Sequence, residues 1–204
     1  MGDKMPVIFL AHPQNRFAPW GLQFTIDQYT SVKTELEKIA GKEITNDDIN
    51  NAIKVYNKSR AVRREFVKLA NDHCDVIKPT IRSAVLKAAW FMLKDEYTEK
   101  LEALNAELKA LPVCDWQGTK VVTSGIICDN PALLAAFEEN NVAIAADDVA
   151  HESRAFLWDA AEDEADAMMS LAKQFAAIDY EVLLYDPKSA ENRRGEFVAN
   201  MVKE

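Results

Sequence analysis

The chain has 204 residues, 49% of them hydrophobic and 28% charged, which is ordinary for a soluble globular protein and outside the range of disordered chains. Acids outnumber bases by 33 to 24, a net charge of −9, and this excludes a general nucleic-acid binder, which needs a basic footprint for the phosphate backbone. No apolar run approaches the ~20 residues that span a bilayer, and the run over residues 7–11 is too short for a secretory leader, so a cytoplasmic protein with no nucleic-acid partner and no membrane partner is expected.

Residues 7–12, Val-Ile-Phe-Leu-Ala-His, read as a short buried strand that stops at Pro13. Pro13, Asn15 and Pro19 make a loop. From Gly21 the period changes, with Leu22, Ile26, Tyr29, Val32, Leu36 and Ile39 three and four apart on one face of a helix. Gly41 is placed to end that helix in the left-handed conformation. Thr45 and Asp48 then form a capping box with Asp in place of Glu. The spacing predicts a helix over 47–71, with Ile49, Ala52, Ile53, Tyr56, Phe66 and Leu69 facing inward and Arg60, Arg63, Arg64 and Lys68 as an outer basic stripe. Pro79 opens a further helix. Tyr97, Leu101, Leu104, Leu108 and Leu111 form a seam for packing on a neighbouring helix.

The character changes after Pro112. The β-branched run over 120–127 reads as a buried parallel strand. Asp129 or Asn130 caps a helix with Pro131 at its first position. Residues 142–149 give a second strand ending in Asp147-Asp148. A helix passes through Met168, Leu171 and Phe175. Residues 180–185 read as a strand or an extended connection, and the chain closes on a helix through Phe197, Val198, Met201 and Val202. An alternating α/β pattern normally continues from such a helix into another strand. The expected fold class is therefore α/β, a Rossmann/flavodoxin-like parallel-sheet lobe with a mostly helical N-terminal half and an incomplete first lobe. The expected division is 1–19 as the end of a truncated lobe, 20–117 as a helical linker and 118–204 as the α/β lobe.

Ligands in open parallel sheets bind at the carboxyl ends of the strands. Two segments reach that edge. One is Thr123-Ser124-Gly125-Ile126-Ile127-Cys128-Asp129-Asn130-Pro131, where Ser124, Gly125 and the start of the next helix could meet an anion such as phosphate or a flavin. Its ordinary reading is a capped strand–turn–helix connection. The other is Asp147-Asp148-Val149-Ala150-His151-Glu152-Ser153-Arg154, where Asp148 and Arg154 could bind a polar ligand. Its ordinary reading is a helix cap. His12 and Arg16, after the first strand, are candidates for the same edge. Cys74, Cys114 and Cys128 are widely spaced and read neither as a disulfide framework nor as a zinc site. No nucleophile–base constellation is identifiable from spacing.

The ordered set has a further reading. Val7-Ile8-Phe9-Leu10-Ala11-His12-Pro13-Gln14-Asn15-Arg16, Ser31-Val32-Lys33-Thr34-Glu35-Leu36, Ile44-Thr45-Asn46-Asp47-Asp48-Ile49, Val121-Val122-Thr123-Ser124-Gly125-Ile126-Ile127, Ala146-Asp147-Asp148-Val149-Ala150-His151-Glu152-Ser153-Arg154 and Asn192-Arg193-Arg194-Gly195-Glu196-Phe197 together resemble the beta subunits of the 2-hydroxyacyl-CoA dehydratases, along essentially the whole chain. The resemblance implies a lyase that removes water from an (R)-2-hydroxyacyl-CoA, with 2-hydroxyglutaryl-CoA the expected substrate, in anaerobic amino-acid fermentation. It implies an alpha subunit as partner and an ATP-dependent iron–sulfur activator that injects one electron. It also implies a 4Fe–4S cluster in the intact beta subunit, relaying that electron so that the thioester becomes a ketyl radical and expels hydroxide. The family's ligand cysteines lie outside the stretch that this chain matches, and Cys74, Cys114 and Cys128 do not occupy their positions. The chain is accordingly expected to be a central fragment, inactive alone. The competing expectation is a stand-alone, non-catalytic α/β binding or scaffold domain.

Overall fold

Gly21 to Ala40 form the first long helix, α1, and Gly41 stops it with a left-handed φ of 63°. There its backbone N–H reaches the Glu37 carbonyl. The next helix starts on the expected box. Asp48 N–H donates to Thr45 Oγ1 at 3.1 Å, while Thr45 N–H donates to Asp48 Oδ2 at 2.9 Å. The computed structural model describes residues 5–13, 18–182 and 193–203. Its remaining elements are α2 (Asn46–Asp72), α3 (Pro79–Ala88), α4 (Lys94–Lys109), β1 (Thr119–Gly125), α5 (Pro131–Glu139), β2 (Val142–Val149), a 3₁₀ turn (Ser153–Phe156), α6 (Ala167–Val182) and α7 (Arg193–Lys203).

The chain divides into two compact units. The first takes α1, the beginning of α2 through Lys54, and α6 from the segment that starts at Ala160. Ile53, Ala160 and Ala167 are buried at its centre, with Ile49 and Leu171 against them. Asn46 ties the two ends of this unit together: its Oδ1 accepts Ala167 N–H at 2.9 Å, and its Nδ2 donates to the Glu164 carbonyl at 3.3 Å. His12 stacks on Phe175 at 4.2 Å between ring centroids.

The second unit runs from Val55 to Asp159 and includes α7. Val62, Phe66, Ala70, Leu86, Leu101 and Leu108 build its core, which Tyr97 and Phe156 complete. β1 and β2 pair in parallel, from Thr119 beside Val142 to Gly125 beside Val149, with α5 as the crossover. The register slips by one residue after Val121, so that Ala145 of β2 has no partner. Gly118 precedes β1 where a side chain cannot fit, since a Cβ there would lie 2.1 Å from the Asn141 carbonyl oxygen. The expected α/β class with a parallel-sheet lobe and a helical N-terminal half is what the structure shows.

Several element-level expectations are corrected. Residues 7–12 form no strand, because an apolar run becomes a strand only with a ladder partner, and the described strands pair only with each other. Residues 180–182 continue helix α6; the rest of the 180–185 segment lies outside the described residues. On α2, Tyr56 and Ala52 are exposed, whereas Arg60 and Arg63 of the expected outer stripe are buried. The helix is rotated from the predicted setting so that its polar residues Asn57, Ser59, Arg60 and Arg63 turn inward. Trp20 and Trp90 are exposed.

Candidate functional site

The two acids that end β2 point into the second unit and are fully buried. A buried carboxylate must be paired and hydrogen-bonded, or it loses its charge. Asp147 meets this need through several donors. Its Oδ1 accepts Val149 N–H at 3.1 Å and Ser153 N–H at 2.9 Å, and its Oδ2 accepts the Ser153 hydroxyl at 2.5 Å. The Arg82 guanidinium of α3 donates Nη2 to the same Oδ2. Arg82 Nη1 donates to Glu152 Oε2 at 2.5 Å.

Arg82 is only 1% exposed, so it is a cation shared between two buried carboxylates. Burial works against its charge, but Asp147 and Glu152 outweigh that effect and hold its pKa above the ordinary value. Glu152 also shifts upward, which for a carboxylate disfavours the charged form. Burial raises its pKa, Asp147 adds to the rise, and Arg82 opposes it. Cys128 lies near these charges. Burial, then Glu152, push its thiol pKa upward.

Asp148 faces a separate set of donors. Arg154 grips it with Nε at 2.9 Å and Nη2 at 2.7 Å on Oδ1, while Nη2 also donates to the Asp148 carbonyl at 2.8 Å. Ser124 Oγ, across the ladder on β1, donates to Asp148 Oδ2 at 3.1 Å. The chelate ring of Asp148 and Arg154 makes one rigid knot out of the strand end and the 3₁₀ turn.

The structure thus brings Ser124, Gly125, Asp148 and Arg154 together at the carboxyl end of the sheet. Gly125 is exposed there, and its carbonyl accepts Ala150 N–H at 3.0 Å. His12 sits in the first unit against Phe175. Arg16 lies outside the described residues. The start of α5 has its own cap, since Asn130 Oδ1 accepts Ala132 N–H at 2.9 Å and Leu133 N–H at 3.3 Å. Those two donors are not left for an anion. Arg82 is the member that sequence reasoning missed. Its partners lie 65 and 70 residues away, and nothing in its helical neighbourhood distinguishes it from a surface arginine.

The described residues contain no group of three or more His, Cys, Asp and Glu side chains placed to hold a metal ion. Cys74 is buried beside Cys114, and burial raises its pKa. No described helix is long and apolar enough to cross a membrane.

Comparison with known proteins gives this framework a family. The family model described as 2-hydroxyglutaryl-CoA dehydratase, D-component, matches residues 1–204. The chain is 60% identical over 204 residues to the (R)-2-hydroxyglutaryl-CoA dehydratase subunit beta of Acidaminococcus fermentans, covering 100% of this chain and 54% of that protein. It is 42% identical over 203 residues to the (R)-phenyllactyl-CoA dehydratase beta subunit of Clostridium sporogenes, covering 99% and 53%. It is also 42% identical over 188 residues to the lactoyl-CoA dehydratase subunit beta of Anaerotignum propionicum, covering 92% and 50%. The chain spans about half the length of the curated relatives it matches. With a match along its full length and such identity to dehydratase beta subunits, the chain belongs to the 2-hydroxyglutaryl-CoA dehydratase D-component family.

Proposed function

We propose that this chain supplies about half of the beta subunit of a cytoplasmic 2-hydroxyacyl-CoA dehydratase, with (R)-2-hydroxyglutaryl-CoA as substrate. The observation that carries the reading is 60% identity over all 204 residues to a subunit of that name. The relatives at 42% identity are named for phenyllactyl-CoA and lactoyl-CoA, so the acyl group is what varies among them. On this reading the partner is the alpha subunit of the dehydratase, and an ATP-dependent iron–sulfur activator supplies the electron that the beta subunit passes on.

The 4Fe–4S cluster that goes with this reading does not fit the described residues. Cluster ligation needs several converging thiolates, whereas no group of three or more such ligands exists among the described residues. The role proposed for this segment is therefore architectural. Asp148 and Arg154, with Ser124, form the edge of the lobe, and Asp147, Arg82 and Glu152 lock that edge to α3.

The test is a full-length beta subunit carrying Asp148→Ala or Arg154→Ala, assayed with its alpha subunit for assembly and dehydration. Either variant is expected to slow turnover by about tenfold or more, or to weaken assembly, because each leaves the other charge buried and unpaired. Unchanged assembly and turnover in both variants would remove the edge from the reading.

A further inference from the structure

Cations gather on the inward face of α2 near the start of α4. Arg60 and Arg63 are 9% and 6% exposed. Arg60 donates Nη1 to Asn57 Oδ1 at 2.7 Å, and Arg63 donates Nε to the Ser59 carbonyl at 3.3 Å. The Arg63 guanidinium also lies 4.8 Å from the Phe156 ring centroid. Lys94 donates to the Ala89 carbonyl. Its Nζ lies 5.5 Å from the centroid of Tyr56, and the Arg60 guanidinium lies 5.9 Å from the same ring. Arg60 and Lys94 thus both approach the Tyr56 ring.

None of these three cations has a carboxylate partner among the described residues. The carboxylate that acts on the group is Asp159, and both of its oxygens accept from Arg64, at 3.0 Å and 2.6 Å. Several other cations of the chain are paired with carboxylates. Lys33, Lys54, Lys58 and Lys109 each have a carboxylate, and Arg82 has two. Acids outnumber bases 33 to 24, so two buried arginines and a half-buried lysine with no carboxylate partner among the described residues run against the composition. Like charges in a partly dry setting repel, and a buried cation without an anion is costly. Burial, with the Arg60 and Arg64 charges, lowers Arg63 to about 10, and burial with Arg63 and Arg60 lowers Lys94.

We propose that Arg60, Arg63 and Lys94 form a binding site for a phosphate group. Phosphate carries close to two negative charges at neutral pH and three acceptor oxygens, against one charge and two oxygens for a carboxylate. Two guanidinium forks and an ammonium match that demand for donors. The ligand is either inorganic phosphate or a phosphate attached to a nucleotide, for which the exposed Tyr56 ring offers a stacking face. The inference does not depend on the dehydratase reading, because it concerns binding and not turnover.

The experiment is calorimetric titration of the full chain with inorganic phosphate, and separately with AMP, at ionic strength held constant with chloride. Saturable one-to-one binding is expected, weakened at least about tenfold in Lys94→Gln and Arg63→Gln and unchanged in Lys58→Gln, whose lysine lies elsewhere on α2 paired with Glu102. AMP binding more tightly than phosphate identifies a nucleotide as the source; equal affinities identify free phosphate. Where Arg63→Gln does not fold, the half-buried Lys94 decides. Failure of the wild-type chain to bind either probe saturably would overturn the proposal, as would Lys94→Gln binding with wild-type affinity.

Discussion

Arg82 is the residue on which the buried end of the sheet depends. It joins α3 to both Asp147 and Glu152, with every charge out of water. Breaking such a group by removing one partner costs more than the group contributes, because the remaining charges stay buried. Arg82→Ala is expected to destabilise the chain by about 3–5 kcal/mol, measured by urea unfolding; a loss under about 1 kcal/mol would show that the carboxylates find other partners. Glu152 adds a pH signature. Its folded pKa is raised above the ordinary 4.5, so the stability linked to it is fully present below that value and is lost as pH rises through the folded value. Glu152→Gln removes this dependence, and its stability relative to the wild type should climb between pH 4.5 and 7. Unfolding free energies whose difference stays flat over that range would contradict the assignment. The Ser124, Asp148 and Arg154 edge was legible because Ser124 and Asp148 lie at strand ends and Arg154 in the turn that follows β2, where period and punctuation are local signals. Arg82 was not, since a long-range pairing leaves no mark at helical spacing.

Capping chemistry is local too, and the elements that it delimits were read correctly. The Thr45 and Asp48 box, Gly41 after α1 and the Asn130-Pro131 start of α5 each lie within a few residues of what they cap. Thr45→Ala should cost about 1 kcal/mol through the lost cap. Gly41→Ala should cost a similar ~1 kcal/mol, because φ is +63° and nothing else approaches the site. Thermal unfolding of each variant checks these values, and no change in Tm would refute the corresponding cap. Residues 7–12 show where local reading stops. Their composition suits a buried strand, yet Val7 and Phe9 are exposed and no described strand pairs with them. The setting of α2 was likewise misread, because a stripe of arginines resembles a solvated face until residues 156–159 pack on it. Arg64 reveals that packing, donating to the Phe156 carbonyl at 2.8 Å and to Asp159.

At the scale of the molecule, the two units leave large apolar side chains in water. Phe91 is 80% exposed and Ile126 71%, with Leu93 and Ile127 also exposed. Such surface is more than scattered residues on a stable monomer need, and it supports the reading of the chain as part of a longer subunit. The isolated chain is expected to bind a hydrophobic dye and to self-associate in light scattering. A monodisperse monomer without dye binding would favour the stand-alone domain instead. The most direct measurement exchanges residues 1–204 for the matching segment of the Acidaminococcus fermentans beta subunit and assays dehydration of (R)-2-hydroxyglutaryl-CoA with the alpha subunit and activator present. The chimera is expected to assemble and to dehydrate the substrate. A chimera that assembles with the alpha subunit yet does not turn over would contradict it.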